Sequence, residues 1–242
     1  MLELKNISFK VDDQDGKKTI LEDVNLVIPN QGFVAITGPN GSGKSTVARI
    51  IAGITSPTSG EIWLDGENIT SLTISERAKK GISFAFQQPV RFKGITVKDL
   101  ISLAVGQETS TDQACEYLSE VGLCARDYIF REVNASLSGG ECKRIEIATL
   151  LARSTKISIF DEPEAGIDLW SFKNLIRVFE KMHERKDGAI IVISHQERIL
   201  NSADSIILIA DGKVKSQGSK DEVLPLLLDT MSAPEVCGCL KR

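Results

Sequence analysis

The chain has 242 residues, a formal net charge of −4, 42% hydrophobic residues and 26% charged residues. No basic block or basic–aromatic interleaving indicates a nucleic-acid partner. No apolar run approaches the roughly 20 residues that a membrane-spanning helix needs, and the N-terminus lacks a signal-peptide pattern. The 5 cysteines, an odd number, suit a reducing compartment. We therefore expect a cytoplasmic protein with no direct membrane insertion and no nucleic-acid partner.

Two segments near the N-terminus alternate apolar and polar residues, as half-buried strands do. The first covers residues 2–9, and the second runs from Thr19 to Ile28. A turn is predicted between them over Asp12–Gly16, and Glu61–Glu67 is predicted to return as a hairpin strand. Early alternating strands of this kind predict an antiparallel sheet beside the main sheet.

A glycine-rich segment follows the apolar run Phe33–Ile36 and has the spacing G-x-x-x-x-G-K-S. Its glycines allow backbone N–H groups to turn inward around an anion, and the following helix directs its positive dipole end there. Lys44 supplies a charge for the β- and γ-phosphates, and the Ser45 hydroxyl is a hard oxygen ligand for Mg²⁺. The segment predicts a nucleotide-binding phosphate loop made of Gly38, Pro39, Asn40, Gly41, Ser42, Gly43, Lys44, Ser45 and Thr46.

The middle of the chain has a mostly helical pattern, with a predicted capping box at Thr96 and Asp99 and a helix end at Gly122. Strands and helices then alternate from Ile157 onward, which implies a parallel sheet with right-handed crossovers. An amphipathic helix in this part carries His183, which we expect to be exposed.

These patterns predict a single α/β domain of the P-loop NTPase type over residues 1–242, with a mostly parallel core sheet. Residues 1–87 and 154–242 would form the nucleotide-binding core together with an antiparallel β subdomain. Residues 88–153 would form an inserted α-helical subdomain.

Candidate chemical groups follow the predicted strands, where ligands bind in parallel sheets. Asp161 and Glu162 follow one strand, and His195 ends another. On an extended backbone, adjacent carboxylates point different ways, so we expect Asp161 to hold Mg²⁺ through water while Glu162 polarises the attacking water. We expect His195 to contact the γ-phosphate.

Gln87 follows the strand predicted over Ile82–Phe86. A neutral amide can ligate Mg²⁺ and also sense the γ-phosphate, which makes Gln87 a candidate metal and nucleotide ligand. Gln88 is adjacent, and the strand pattern alone does not choose between the two.

A second candidate anion site lies at Ser138, Gly139, Gly140 and Glu141. Ser138 and Glu141 have capping-box spacing, and Ser138 with the two glycines leaves backbone donors open at a helix N-terminus. One phosphate loop already serves the nucleotide. A two-fold dimer would allow each second site to close over the γ-phosphate held by the other copy.

Taken together, these residues resemble the motifs of ABC-type ATPases. The motifs are the phosphate loop, Gln87, Leu137–Glu141, the pair Asp161 and Glu162, Ala165–Asp168, and His195. The resemblance implies ATP and Mg²⁺ as cofactors and ATP-driven closure of a head-to-tail dimer around two nucleotides. It also implies that Glu162 is the general base, His195 a switch histidine, and Asp168 a residue that communicates between the two copies.

Two further segments, Phe86–Val90 and Ser194–Leu200, are similar to the SufC-type ATPases of SUF iron–sulfur cluster assembly. This similarity implies a soluble SufB/SufD-like scaffold partner, docked near the Gln87 loop and remodelled by an ATP-dependent homodimer. The ATP-binding subunit of a membrane transporter is the alternative, because transporters often carry their membrane segments on another chain. A nucleotide-gated clamp without hydrolysis is a third hypothesis, which the presence of both Glu162 and His195 disfavours.

Several positions depart from these patterns. Pro163 resembles transporter ATPases more than bacterial SufC, and Cys142 replaces the usual polar residue after the second anion site. Cys237 and Cys239 could ligate a metal or a nascent cluster, but two thiols do not complete a site. A tail with spare cysteines is the simpler interpretation.

Val11 occupies the position where many ABC ATPases stack adenine on an aromatic side chain. Because a valine offers no ring for stacking, we expect weak selectivity for the base. Dissociation constants for ATP and GTP, measured by calorimetry, should differ by less than about tenfold, which is about 1.4 kcal/mol. A larger difference would show that another group recognises adenine.

Overall fold

The computed structural model describes residues 1–13, 16–186 and 188–232. Part of the predicted turn Asp12–Gly16 lies outside these residues, as do Cys237 and Cys239. The strands are β1 Leu2–Asp13, β2 Gly16–Ile28, β3 Gly32–Thr37, β4 Ser59–Leu64, β5 Glu67–Asn68, β6 Ile82–Ala85, β7 Ile157–Asp161, β8 Ala189–Ile193, β9 Ser205–Ala210 and β10 Lys213–Ser219. The helices are α1 Lys44–Ala52, α2 Ile74–Lys79, α3 Val97–Val105, α4 Thr111–Glu120, α5 Ala125–Tyr128, α6 Gly139–Arg153, α7 Leu169–Arg185, α8 Glu197–Ser202 and α9 Lys220–Ser232.

The strands form two sheets within the described ranges. One has the order β2-β1-β4-β5 and is antiparallel. The other has the order β10-β9-β3-β8-β7-β6 and is parallel except where β10 pairs with β9. The predicted combination of a mostly parallel core sheet and an antiparallel β sheet is confirmed.

The hydrophobic core covers both faces of the parallel sheet. Every residue of β3, β7 and β8 is buried, and the polar residues among them are Thr37, Ser158 and Asp161. Strands buried on both faces have near-continuous apolar sequences, as these do. The register aligns Ile36 with Ile193 and Ile193 with Asp161, so the carboxyl ends of β3, β8 and β7 meet at one edge of the sheet.

The central helical segment lies between β6 and β7 and contains α3 to α6. The capping box of Thr96 and Asp99 is present at the start of α3, and α4 ends just before Gly122. Treating residues 88–153 as a separate subdomain stays a prediction. Among the described residues, no helix is long and apolar enough to cross a membrane.

Two tight turns change the strand prediction. Asp65 and Gly66 have φ values of 52° and 83° and divide the predicted strand Glu61–Glu67 into β4 and β5. Asp211 and Gly212, with φ values of 51° and 72°, turn the chain from β9 into β10, which we did not predict. Asp-Gly pairs are a strong hairpin signal because both positions need a positive φ.

Two helices and one histidine also differ from expectation. The helices α2 and α9 were not predicted, although α2 begins with a capping box of Thr73 and Glu76. The expectation that His183 is exposed is wrong. Its imidazole is 34% exposed and its Nε2 lies 3.2 Å from Oδ1 of Asp204, because α7 packs closely enough for this pair to form.

Arg77 of α2 is a buried cation that holds the end of α1. The residue is 1% exposed. Its guanidinium donates to the carbonyls of Ile50, Ile51, Thr70 and Leu72 at 2.6, 3.0, 2.8 and 3.1 Å. The carbonyls at a helix C-terminus lack helical partners. Arg77 provides a donor to the Ile51 carbonyl and a second donor to the Ile50 carbonyl, which also accepts from the Gly53 amide at 3.2 Å. The α1 helix, which follows the phosphate loop, is thereby fixed at its far end.

We expect Arg77→Met to lower the free energy of unfolding by about 3 kcal/mol, because it removes the guanidinium that donates to four backbone carbonyls. Urea unfolding followed by circular dichroism measures the change. Lys79→Met, at an exposed position of the same helix, is the matched control and should change stability by less than about 0.5 kcal/mol. Equal effects of the two substitutions would contradict this role for Arg77.

Candidate functional site

The phosphate loop connects β3 to α1 and depends on two glycines. Gly38 and Gly43 have φ values of 140° and 100°. A Cβ atom at Gly38 would lie 1.8 Å from the carbonyl oxygen of Ile209, and one at Gly43 would lie 2.4 Å from Cδ2 of Leu21. Only glycine fits these positions without movement of the neighbours. Gly43 is also the N-cap of α1 and provides no side-chain cap, so the loop leads directly into open helical N–H groups.

Lys44 lies inside the loop. It is 5% exposed, and its Nζ donates to the carbonyl oxygens of Gly38 and Pro39, each at 2.8 Å. Burial lowers the pKa of Lys44, while the charges of Glu162 and Asp161 oppose this shift. A weakly hydrated cation at this place suits recognition of phosphate oxygens.

Ser45 and Asp161 provide a pair of hard oxygen atoms. The Ser45 hydroxyl donates to Oδ1 of Asp161 at 2.8 Å. Asp161 is 1% exposed, and its Oδ2 has no hydrogen-bond partner among the described residues. Burial raises the pKa of Asp161, and the hydrogen bond from Ser45 partly opposes this. A hydroxyl beside a carboxylate with a free buried oxygen fits Mg²⁺, which prefers such ligands and keeps several waters.

Glu162, Gln87 and His195 come together at the ends of β7, β6 and β8. The Gln87 amide donates to Oε2 of Glu162 at 2.6 Å, and Nε2 of His195 lies 4.0 Å from Oε1 of the same carboxylate. The pKa of His195 is lowered by burial and by Lys44, against the effect of Glu162. A lowered pKa favours the neutral imidazole, which is able to donate or accept a hydrogen bond. Of the two adjacent glutamines, it is Gln87 that contacts Glu162.

The expected extended backbone at Asp161 and Glu162 is wrong. β7 ends at Asp161, and Glu162 has a φ of 45°, in the left-handed region. The amide of Glu162 donates to Ile193 O at 3.0 Å, and its carbonyl accepts from the amide of Ala165 at 3.0 Å, so a turn begins there. A positive φ at a non-glycine residue is sparsely populated and often accompanies function. The two carboxylates nevertheless have different partners, Ser45 and Gln87.

The second anion motif forms the N-terminus of α6. Ser138 is the N-cap and forms the predicted capping box with Glu141. Tyr128 also donates to Glu141, and this bond together with the Ser138 amide lowers the pKa of Glu141 to about 2. A Cβ at Gly139 would meet nothing within 4 Å, and one at Gly140 would meet only the carbonyl oxygen of Gly166 at 3.7 Å. The motif is therefore rigid on its inner side and open at the glycines.

Within the described part of the chain, no hydrogen bond joins the second anion motif at 138–141 to the phosphate loop at 38–46. Asp168 lies on the exposed surface as the cap of α7, where its carboxylate accepts from the amide and hydroxyl of Ser171 at 3.0 and 2.7 Å. The structure thus brings together the groups at the strand ends, and its described hydrogen bonds do not join the 138–141 motif to the phosphate loop.

Sequence reasoning missed Glu164, a carboxyl group close to this cluster. The Ser194 hydroxyl donates to Oε1 of Glu164, and Ser194 Oγ accepts from the amide of Gln196 at 2.9 Å. Burial raises the pKa of Glu164, and the hydrogen bonds from Ser194 and from the His195 amide oppose this shift. Glu164 therefore holds the turn that carries His195. The available signal was a second acidic residue two positions after Glu162.

We expect Asp161→Asn to stabilise the nucleotide-free protein at neutral pH. The folded-state pKa of Asp161 lies above the unfolded value of roughly 3.9. The favourable contribution of the protonated carboxyl is therefore present below the unfolded pKa and is lost as the pH rises through the folded pKa. The stability gained by the variant should grow between about pH 4 and pH 8, while the Mg²⁺ dependence of ATP binding is lost.

Urea unfolding at both pH values and calorimetric ATP titration with and without Mg²⁺ measure these two effects. Asp211→Asn is the matched control, because the side chain of Asp211 is 86% exposed and lies in a turn. It should show neither effect. A pH-independent difference between Asp161→Asn and the wild type would contradict the cost assigned to the buried carboxylate.

Comparisons with known proteins agree with this site. The sequence model of the ABC transporter family matches residues 21–165, more than half of the chain. An uncharacterized ABC transporter ATP-binding protein of Methanocaldococcus jannaschii is 39% identical over 216 residues, covering 86% of each chain. The probable ATP-dependent transporter ycf16 of Pyropia yezoensis is 33% identical over 235 residues, covering 90% of this chain and 91% of that protein.

A solved structure with the same fold is the dimeric post-hydrolysis state of an ATP-binding cassette bound to ADP and Pi. It superposes with a TM-score of 0.82 at 28% identity, covering 91% of this chain and 99% of the other. The sequence match, the fold and the cluster at the strand ends lead to the same conclusion: the chain belongs to the ABC transporter ATP-binding family and is an ABC-type ATPase.

Proposed function

We propose that this chain is the ATP-hydrolysing subunit of an ABC transporter and works as one half of a head-to-tail dimer. The observation that carries the hydrolytic part is the convergence of Lys44, Ser45, Asp161, Glu162 and Gln87 at one edge of the sheet. These groups supply a phosphate-binding cation, oxygen ligands for a metal and a candidate base beside an amide. Phosphoryl transfer requires mainly such positioning and charge neutralisation.

In this mechanism the phosphate loop and Lys44 bind the β- and γ-phosphates. Ser45, Asp161 and Gln87 would hold Mg²⁺, which neutralises charge on the phosphate oxygens when bound. Glu162 accepts a proton from the attacking water. The Gln87 amide orients the Glu162 carboxylate, and His195 orients the γ-phosphate. The neutral state of His195 suits a hydrogen bond to a phosphate oxygen.

The dimer is proposed because the second anion motif has no described hydrogen bond to the phosphate loop of its own copy. The motif 138–141 is open at its glycines and shares no hydrogen bond with the phosphate loop in the described part of the chain. Asp168 lies on the exposed surface as well. In a head-to-tail dimer, Ser138, Gly139, Gly140 and Glu141 of one copy would close over the γ-phosphate of the other, with Asp168 at the contact. The similar ATP-binding cassette is described as dimeric.

The transporter assignment rests on the relatives. The proteins from Methanocaldococcus jannaschii and Pyropia yezoensis carry transporter names, and Pro163 follows the transporter pattern. A second candidate is an ATPase of SUF iron–sulfur assembly with a SufB/SufD-like scaffold partner. It is favoured by the segments Phe86–Val90 and Ser194–Leu200, which resemble those ATPases.

The partner distinguishes these two proposals. A tagged chain should be purified from native cells in two fractions, detergent-solubilised membranes and clarified extract, and its partners identified by mass spectrometry. We expect a polytopic membrane protein in stoichiometric amount. A SufB/SufD-like scaffold in the clarified extract would instead support iron–sulfur assembly and contradict transport.

Glu162→Gln should lower kcat for ATP hydrolysis by about 100-fold or more, because the amide cannot accept the proton of water. ATP binding should persist, since the phosphate loop is unchanged. Steady-state phosphate release and ATP titration measure the two effects. Glu197→Gln, at an exposed carboxylate on α8, is the control and should hydrolyse ATP normally. A nearly unchanged kcat in Glu162→Gln would mean that another group is the base.

Mixing two inactive variants tests whether the 138–141 motif acts on the other copy. Lys44→Ala removes the phosphate cation. Gly139→Asp places a negative charge at an open position. This charge is compatible with the N-terminus of α6, where the helix dipole stabilises it, but it repels a phosphate. Each variant alone should be inactive. A mixed dimer contains one composite site with neither substitution, so mixing should restore hydrolysis.

Phosphate release from equimolar mixtures at increasing concentration measures the recovery. A chain that carries both Lys44→Ala and Gly139→Asp serves as the control, because mixing it with Lys44→Ala leaves no composite site intact and should restore no activity. If the motif served its own copy, no mixture of the two inactive variants would recover activity, and the head-to-tail proposal would be wrong.

A further inference from the structure

The helix α6 contains a buried ion pair one turn after its N-terminal motif. Nζ of Lys143 lies 3.2 Å from Oε2 of Glu146, and the two side chains are 1% and 15% exposed. The spacing of three residues places both on one face of the helix. The free-energy cost of removing two charges from water can exceed the gain from their attraction. A buried ion pair is therefore weak evidence for stability. Its other contacts suggest a different role.

Both charged groups bind the backbone of a single residue, Phe86. Oε1 of Glu146 accepts from the Phe86 amide at 3.0 Å, and Nζ of Lys143 donates to the Phe86 carbonyl oxygen. Burial raises the pKa of Glu146, against the effects of Lys143 and the Phe86 amide. The backbone amide and the backbone carbonyl of Phe86 are thus both bound by side chains of the same helix.

Phe86 needs these contacts because it lies just beyond the sheet. The pairing of β6 with β7 ends with Ala85 and Phe160, so no ladder partner holds Phe86. The next residue is Gln87, whose amide donates to Glu162 at 2.6 Å. Lys143 and Glu146 of α6 therefore bind the backbone groups of Phe86 that a neighbouring strand would otherwise bind, and Phe86 directly precedes Gln87.

We propose that Lys143 and Glu146 are positioning residues for Gln87. They fix the chain at Phe86 against α6 and so hold the Gln87 amide beside Glu162. The same helix begins at the 138–141 motif, and Lys143 lies about 7–8 Å along the axis from Ser138 at 1.5 Å per residue. These contacts of Lys143 and Glu146 with Phe86, called the clamp below, thus couple Gln87 of one copy to the motif that is proposed to face the other copy. This inference rests on the role proposed above for Gln87.

Hydrogen–deuterium exchange of the nucleotide-free protein tests the clamp directly. Lys143→Met retains most of the length of the side chain without its charge, and Glu146→Gln retains an acceptor for the Phe86 amide. We expect exchange in peptides covering residues 82–88 to accelerate by about tenfold or more in Lys143→Met, and by less in Glu146→Gln. Thr149→Val, which removes a hydroxyl bonded to Ile145 O within α6, should leave these peptides unchanged.

Kinetics distinguish positioning from structural support. Lys143→Met should lower kcat by about tenfold or more and leave KM for ATP within about twofold of the wild type. Gln87→Ala should lower kcat in the wild type but have much less effect in the Lys143→Met background, because the amide is already displaced. If Gln87→Ala lowered kcat by the same factor in both backgrounds, the proposal would be overturned.

The possible failures are separable. Unchanged exchange at residues 82–88 in both α6 variants would overturn the clamp and leave the ATPase mechanism intact. Wild-type hydrolysis by Gln87→Ala would contradict the role of Gln87 and with it this proposal, whatever the exchange result. Accelerated exchange in Lys143→Met with an unchanged kcat would make the pair structural and overturn positioning.

Discussion

The hydrogen bond between Ser45 and Asp161 joins the first turn of α1 to the end of β7, and the site is built around it. It forms because the parallel register aligns the ends of β3, β8 and β7 at one edge. The loop before α1 can approach that edge only because Gly38 has no side chain to meet Ile209. Strand register and one missing Cβ therefore determine where the phosphate-binding groups lie.

Burial of charge is the second constraint on this region. Desolvation lowers the pKa of Lys44 and raises those of Asp161, Glu146 and Glu164. A hydrogen-bond donor opposes the pKa shift of each carboxyl group: Ser45 for Asp161, the Phe86 amide for Glu146 and Ser194 for Glu164. Polar groups fixed in a poorly solvated site need little reorganisation during a reaction. The same arrangement costs folding stability, which is the trade-off expected at functional sites.

The helix α6 connects two features that are distant in sequence. Its N-terminus carries the open motif of Ser138, and its next turn carries the pair that binds Phe86. A rigid helix in contact with both elements can transmit a displacement between them, provided that the helix takes two positions with different affinity for a partner. ATP-dependent contact between two copies would supply such a difference.

Local patterns were sufficient for the fold class, the phosphate loop, the capping boxes at Thr96 and Ser138, and the strand-end position of Glu162. These features depend on short-range spacing, which a sequence displays directly. The sequence did not choose between Gln87 and Gln88, and it did not reveal Lys143, Glu146 or Glu164. Those assignments depend on which side chains meet across β6, α6 and the β8 end. Only tertiary packing determines such contacts, because they join residues about 30–75 positions apart through hydrogen bonds that no local period encodes.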